Sequence, residues 1–169
     1  PTRSFWRVGR VSNGMNKKGK KTFFTVLVIA IVGFGMLGVG GSFSQIWGNK
    51  HEGKTTREIA MSCTLDMYTQ FHIHPNLSIV VNGEKQTLPP NIGVALGCMH
   101  PLHTHDDTGK IHVESPVQRD FTLGDFFAVW EKPFSREYIL EYRADESHAI
   151  AMTVNGEPSY EYENHILQD

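Results

Sequence analysis

A chain of 169 residues has room for one globular domain and a modest remainder. Its net charge of -2 conceals a split: of sixteen Lys and Arg, seven fall in positions 1–21, where there is no acid, leaving nine against eighteen Asp and Glu in the rest. Beyond position 21 the basic residues are scattered and form no stripe interleaved with aromatics, so the composition argues against a nucleic-acid partner.

After this basic head, the stretch from Thr22 to Asn49 holds no charged residue, and positions 23–41 are almost wholly apolar or glycine. A helix rising 1.5 Å per residue crosses ~30 Å of hydrocarbon in ~20 residues, so the run is long enough to span a membrane. Lys17, Lys18, Lys20 and Lys21 at its start place the N-terminus in the cytoplasm, and Trp47 suits the far interface. A cleaved signal peptide shares the basic-then-apolar order, but this run is long and no Ala-x-Ala site follows it. Residues 22–47 therefore read as a single-pass transmembrane helix in the cell membrane, retained as an anchor. Gly38/Ser42 and Gly40/Ser44 have the small-x-x-x-small spacing that lets helices approach closely in lipid, which points to other transmembrane subunits, besides lipid, as partners.

Residues 48–60 read as a polar tether with a solvated His51, and Glu58 to Tyr68 suits a helical turn or a strand equally. Residues 61–169 are expected as an extracytoplasmic β domain. Leu77 to Val81, Asn82-Gly83 and Glu84 to Leu88 form a hairpin signal, and Ala149 to Val154 with Asn155-Gly156 repeats it. Ile111 to Ser115 is a further strand, entered through the turn Asp106 to Gly109. Thr122 with Asp125 caps a short helix over 126–130 whose Phe126, Phe127 and Trp130 are core residues, and Pro133 stops it. Ser135 to Tyr142 and Tyr160 to Leu167 are expected as strands. The fold class is mostly β, a small antiparallel sandwich or barrel-like domain with one short helix, on a single N-terminal transmembrane helix.

The chemistry is concentrated. Six of nine histidines lie between positions 72 and 112, four of them in Cys98 to Glu114. On a strand, residues i and i+2 face the same way, so His72 with His74, and His103 with His105, each aim two imidazoles to one side. With His112 these five are the expected metal ligands. His100, Asp106 and Asp107 are candidates for a ligand or for a group that orients one. Imidazole suits copper and zinc among others, so the expected cofactor is a transition metal ion, copper or zinc. Glu114, two residues past His112, is the carboxylate that could serve as a catalytic base. His148 and His165 stand outside the cluster and read as structural. Cys63 and Cys98, the only cysteines, are expected as a disulfide closing a long loop; the competing reading makes Cys98 and Met99 soft ligands beside His100.

The run His72-x-His-Pro-x-Leu, the Val-Asn-Gly hairpin, Pro-Leu-His103-Thr-His105-Asp-x-Thr-Gly-x-Ile-His112-Val-Glu-Ser and Phe-Thr-Leu-Gly-Asp-Phe-Phe-x-Val-Trp130 together resemble an uncharacterised family of membrane-anchored, His-rich β domains of archaea and bacteria. The resemblance covers most of residues 70–165 and implies an exported β domain with the histidines at 72, 74, 103, 105 and 112 as its pattern positions. It implies no particular reaction. Members of that family continue past the second hairpin into a closing strand, whereas this sequence ends at Asp169. The Lys-rich head and Gly-rich run are similar to proteins of ammonia-oxidising archaea, which would imply an accessory subunit of a copper membrane enzyme such as ammonia monooxygenase. Phe71 to His74 also resembles the copper strand of copper-zinc superoxide dismutase, but no later region matches that family's other ligands.

The expected function is thus a membrane-anchored, extracytoplasmic metal-binding domain acting as a structural or accessory subunit of a larger membrane complex, without catalysis of its own. One alternative is a metalloenzyme with a three-histidine open site. Another is a metal-free interaction module, which would leave the histidines dispersed over the surface.

Overall fold

Both Asn-Gly pairs do what their chemistry dictates. Asn82 and Gly83 have φ of 52° and 88°, and Asn155 and Gly156 have 51° and 92°, the positive values a tight two-residue hairpin needs. They close the strand pairs Ile79–Val81 with Glu84–Gln86 and His148–Val154 with Glu157–Ser159.

The computed structural model describes residues 51–65 and 69–169, and the backbone of residues 4–8. In chain order the elements are β1 (Ser4–Val8), α1 (Thr56–Ala60), β2 (Phe71–Ile73), β3 (Ile79–Val81), β4 (Glu84–Gln86), β5 (Val94–Ala95), β6 (Cys98–Met99), β7 (Leu102–His103), β8 (His112–Ser115), α2 (Leu123–Val129), β9 (Tyr138–Ile139), β10 (Tyr142–Arg143), β11 (His148–Val154) and β12 (Glu157–Ser159). The fold is mostly β. Its sheets are a five-stranded one in the order β12-β11-β1-β3-β4, a three-stranded one in the order β2-β8-β7, and the pairs β5-β6 and β9-β10. Pairing is antiparallel except between β1 and β11.

Strand β1 lies within the head expected on the cytoplasmic side. A single crossing by residues 22–47 and the pairing of β1 with β11 and β3 exclude one another, because strands do not hydrogen-bond through a bilayer. Residues 22–47 themselves lie outside the described residues, and among those described no helix is long and apolar enough to cross a membrane.

Helix α1 falls in the stretch expected as a tether. It forms because Thr55 and Glu58 make a reciprocal capping box and because Ile59 and Ala60 are fully buried. Helix α2 carries the expected cap: Thr122 accepts from the Asp125 N–H, while the Asp125 carboxylate accepts from the Thr122 N–H at 2.8 Å. That same carboxylate, itself buried, pairs with Arg57 at 2.9 Å, and Arg57 also donates to the Gly124 carbonyl, so the start of α2 is tied to α1. Two expectations are corrected. The strand expected over 135–142 is instead the short hairpin β9-β10, turned at Leu140, whose φ is 54°. The last expected strand is a 3-10 turn at Tyr162–Asn164, from which the Tyr162 side chain packs into the core and bonds the Ile150 carbonyl.

Phe121, Leu123, Phe126 and Phe127 fill the core together with Leu102, Ile111 and Val113 from the three-stranded sheet. That sheet is therefore apolar on one face and free to carry chemistry on the other.

Cys63 and Cys98 form a disulfide with Cα atoms 5.3 Å apart, beside the backbone bridge between Thr64 and Met99. It closes a separation of 35 residues. In the chain-entropy view such a loop is worth ~3 to 4 kcal/mol. Reduction, or the double substitution Cys63→Ser/Cys98→Ser, is expected to lower the free energy of unfolding by about that amount, read from denaturant titrations with and without reductant.

Candidate metal centre

The three-stranded sheet builds the site by alternation. Along β8 and the residue before it, Ile111, Val113 and Ser115 are buried while His112 and Glu114 are half-buried on the opposite face. The register sets Ile73 and Leu102 either side of Val113 on the core face. On the other face it sets His72 opposite Glu114 and His103 opposite His112. The Ile111 N–H to Pro75 carbonyl bond continues β2 beyond its last strand residue, bringing His74 alongside His112. Each flanking strand thus supplies a His-x-His pair and the central strand supplies His-x-Glu.

The rings converge. Ring centroids are 4.4 Å apart for His72 and His74, and 4.7 Å for His103 and His105. The ring of His112 meets both pairs, edge-on at 4.6 Å to His74 and 4.6 Å to His105, and stacked on His103 at 5.4 Å. Two sets of side chains place one ligand atom each within 4.8 Å of one another: His103, His105, His112 and Glu114, and His72, His74 and His112. Nε2 of His103 is 3.2 Å from Nε2 of His105, and Glu114 Oε1 is 3.2 Å from His72 Nε2 and 3.4 Å from His112 Nδ1. Ligands held ~2.1 Å from an ion at tetrahedral or octahedral angles are ~3.0 to 3.4 Å apart, the spacing these atoms have.

The surroundings orient the ligands. His103 is fully buried and its Nδ1 donates to the His100 carbonyl at 3.0 Å, which fixes the tautomer and leaves Nε2 with its lone pair toward His105. The ring of His100 lies elsewhere, with Nδ1 donating to the Ala60 carbonyl at 3.2 Å, so this residue serves the site through its backbone. Asp106 is exposed and turns back to accept from the Thr108 N–H at 2.9 Å, and Asp107 is exposed beside it; neither belongs to either set. Gly109 ends this turn at φ of 91°, where a Cβ would run into the Leu77 carbonyl, so the return into β8 needs glycine. His148 pairs with Asp145, and His165 with Glu161 at 2.7 Å, away from both sets. The disulfide takes Cys98 out of the ligand inventory.

Two contributions were not legible in the sequence. Glu114, read there as a base, is a member of one ligand set. The Asp169 carboxylate, 95 residues away in sequence, accepts from the His74 N–H at 2.8 Å and holds that end of β2. No local pattern signals a contact of such separation.

The electrostatics favour the neutral form of His103 and His112. Burial pushes the His103 imidazole down from 6.5 to about 4, against the opposing pull of the His100 carbonyl and the Glu114 carboxylate. Burial, then the neighbouring His105 and His74, likewise lower His112. Nδ1 of His112 is buried without a completed hydrogen bond, an atom that an ion would satisfy.

In the unfolded chain His103 takes up a proton below ~6.5, but in the folded protein only below about 4. The metal-free protein is therefore expected to lose stability as pH falls from ~6.5 toward 4, with the loss levelling off below. Denaturant unfolding at several pH values should show that slope, and His103→Phe should flatten it.

Comparison with protein-family models, with curated proteins and with solved structures found no match to this chain.

Proposed function

We propose that this protein is a metal-binding domain whose centre is the outer face of the β2-β8-β7 sheet. The observation that carries the reading is that three i, i+2 pairs from three adjacent strands converge there, five imidazoles and one carboxylate, at ligand-to-ligand spacing. Surface histidines satisfied by solvent would have no reason to meet, so the interaction module with dispersed histidines loses its ground. Nitrogen-rich donors suit copper or zinc. His72, His103, His112 and Glu114 project from strand backbone, which favours tight binding over transient capture.

The wider reading is an accessory subunit anchored at a membrane through residues 22–47, outside the cytoplasm, within a larger assembly. The support is the uncharged, Gly-rich run and the basic head before it. In that setting residues 4–8 stay on the cytoplasmic side and β1 leaves the five-stranded sheet. The metal centre depends on neither arrangement, because it is built on a different sheet.

A metalloenzyme is the second reading, and exposure favours it. The His72 side chain is 48% exposed and His105 is exposed, so an ion bound there keeps a side open to solvent, with Glu114 beside it. Three protein ligands and an open position are what water activation requires.

Elemental analysis by X-ray fluorescence of the purified full chain should find copper or zinc, and His103→Ala/His105→Ala should weaken its binding at least ~100-fold, since losing even a supporting group costs 10 to 100-fold. Absorption spectra of the bound metal then count protein ligands: four or more favour an accessory role, three with a solvent oxygen favour catalysis. Protein without metal, and unable to take it up, overturns the reading.

Membrane topology has its own test. A cysteine at position 2, Thr2→Cys, is expected to be shielded from an impermeant thiol reagent added outside intact cells. Labelling from outside would overturn the single crossing and leave β1 in the sheet.

A further inference from the structure

We propose that the centre holds two metal ions side by side, one bounded by His72 and His74 and the other by His103 and His105, with His112 and Glu114 of β8 between them. This rests on the metal-binding reading above and extends it from one ion to two.

The strand order is the first argument. His74, His112 and His103 lie in a row across three adjacent strands. Strands are ~4.8 Å apart, so the outer two are ~9.6 Å apart. A single ion with bonds of ~2.1 Å cannot hold ligands more than ~4.2 Å from one another. To share one ion, both outer pairs would have to lean across the central strand. Instead, each pair closes on His112 from its own side, at 4.6 Å for His74 and 4.6 Å for His105.

The ligand inventory is the second argument. The two sets are each complete at three or four side chains, the number that a separate ion needs, and they have His112 in common. An imidazole has two nitrogens and can serve two ions, losing its ring proton to solvent when it does so. Glu114 has the same intermediate place. It belongs to the set with His103 and His105, yet its Oε1 is 3.2 Å from Nε2 of His72, in the other set. A carboxylate has two oxygens and spans neighbouring ions readily. Charge points the same way: one carboxylate and one imidazolate lying between two divalent ions reduce their mutual repulsion, and no other acid is in either set.

Titration of the metal-free full chain with Zn(II), followed by calorimetry and by elemental analysis after gel filtration, should reach two equivalents. His72→Gln/His74→Gln and His103→Gln/His105→Gln should each retain one. His112→Gln should weaken both steps by at least tenfold. Loading with Cu(II) should give a paramagnetic resonance signal well below that of two isolated ions, because bridged ions couple. Saturation of the unsubstituted protein at one equivalent, with an uncoupled Cu(II) signal, overturns the two-ion centre while leaving the metal-binding reading intact. Saturation at zero overturns both. The stoichiometry of the unsubstituted protein decides the matter even where a variant fails to fold, and circular dichroism identifies such variants.

Discussion

The two faces of one four-residue strand set the terms for the rest of the structure. Because side chains alternate along β8 and the residue before it, Ile111, Val113 and Ser115 must be covered if His112 and Glu114 are to face outward. A slip of one residue would bury His112 and Glu114 and expose Val113, so the register of this strand is fixed by the core it covers. The flanking strands inherit the constraint. Ile73 and Leu102 pack either side of Val113, and their neighbours in sequence, His72, His74 and His103, are thereby sent to the far face. The convergence of these side chains is a by-product of packing the other side correctly.

Local contacts refine what the strand pattern begins. The loop from Met99 to His103 is tied by the disulfide at Cys98, by the His100 N–H to the Gly93 carbonyl at 2.8 Å, and by the His100 ring to the Ala60 carbonyl. Each contact holds the His100 carbonyl in the place from which it accepts the His103 proton. Thr104 is buried between the two ligands of its strand and holds its own segment, donating to the Pro89 carbonyl and accepting from the Ile92 N–H. A ligand whose rotamer is set by a second layer of this kind loses little freedom when an ion binds.

Much of this was legible in sequence because it is local. The hairpins at Asn82-Gly83 and Asn155-Gly156 and the cap at Thr122 are decided by residues within four positions, and the His-x-His spacing declares a shared face wherever the strand is recognised. The failures have a common cause in distance along the chain. Helix α1 has a local start signal in the Thr55 and Glu58 capping box, but the burial of Ile59 and the reach of Arg57 to Asp125 lie outside any window around position 58. Tyr160 to Leu167 alternates weakly enough to suit a strand, but the Tyr162 side chain finds its partner at Ile150 and bends the segment into a turn. The pairing of Glu114 with His72, 42 positions earlier, is likewise visible only in the register.

The cluster is poorly satisfied by its own side chains. His103 is buried in a place that disfavours its charged form, burial and the neighbouring His105 and His74 do the same to His112, and a nitrogen of His112 is buried without a completed bond. Ordinary cores avoid such arrangements, since burying polar groups without partners costs a few kcal/mol each. A bound cation would reverse these costs: it would take the lone pairs of His103 and His112 and favour the neutral rings that burial has already selected. The two rings that burial holds neutral are ones that an ion would use, and this coincidence is the physical reason to read the face as a metal centre.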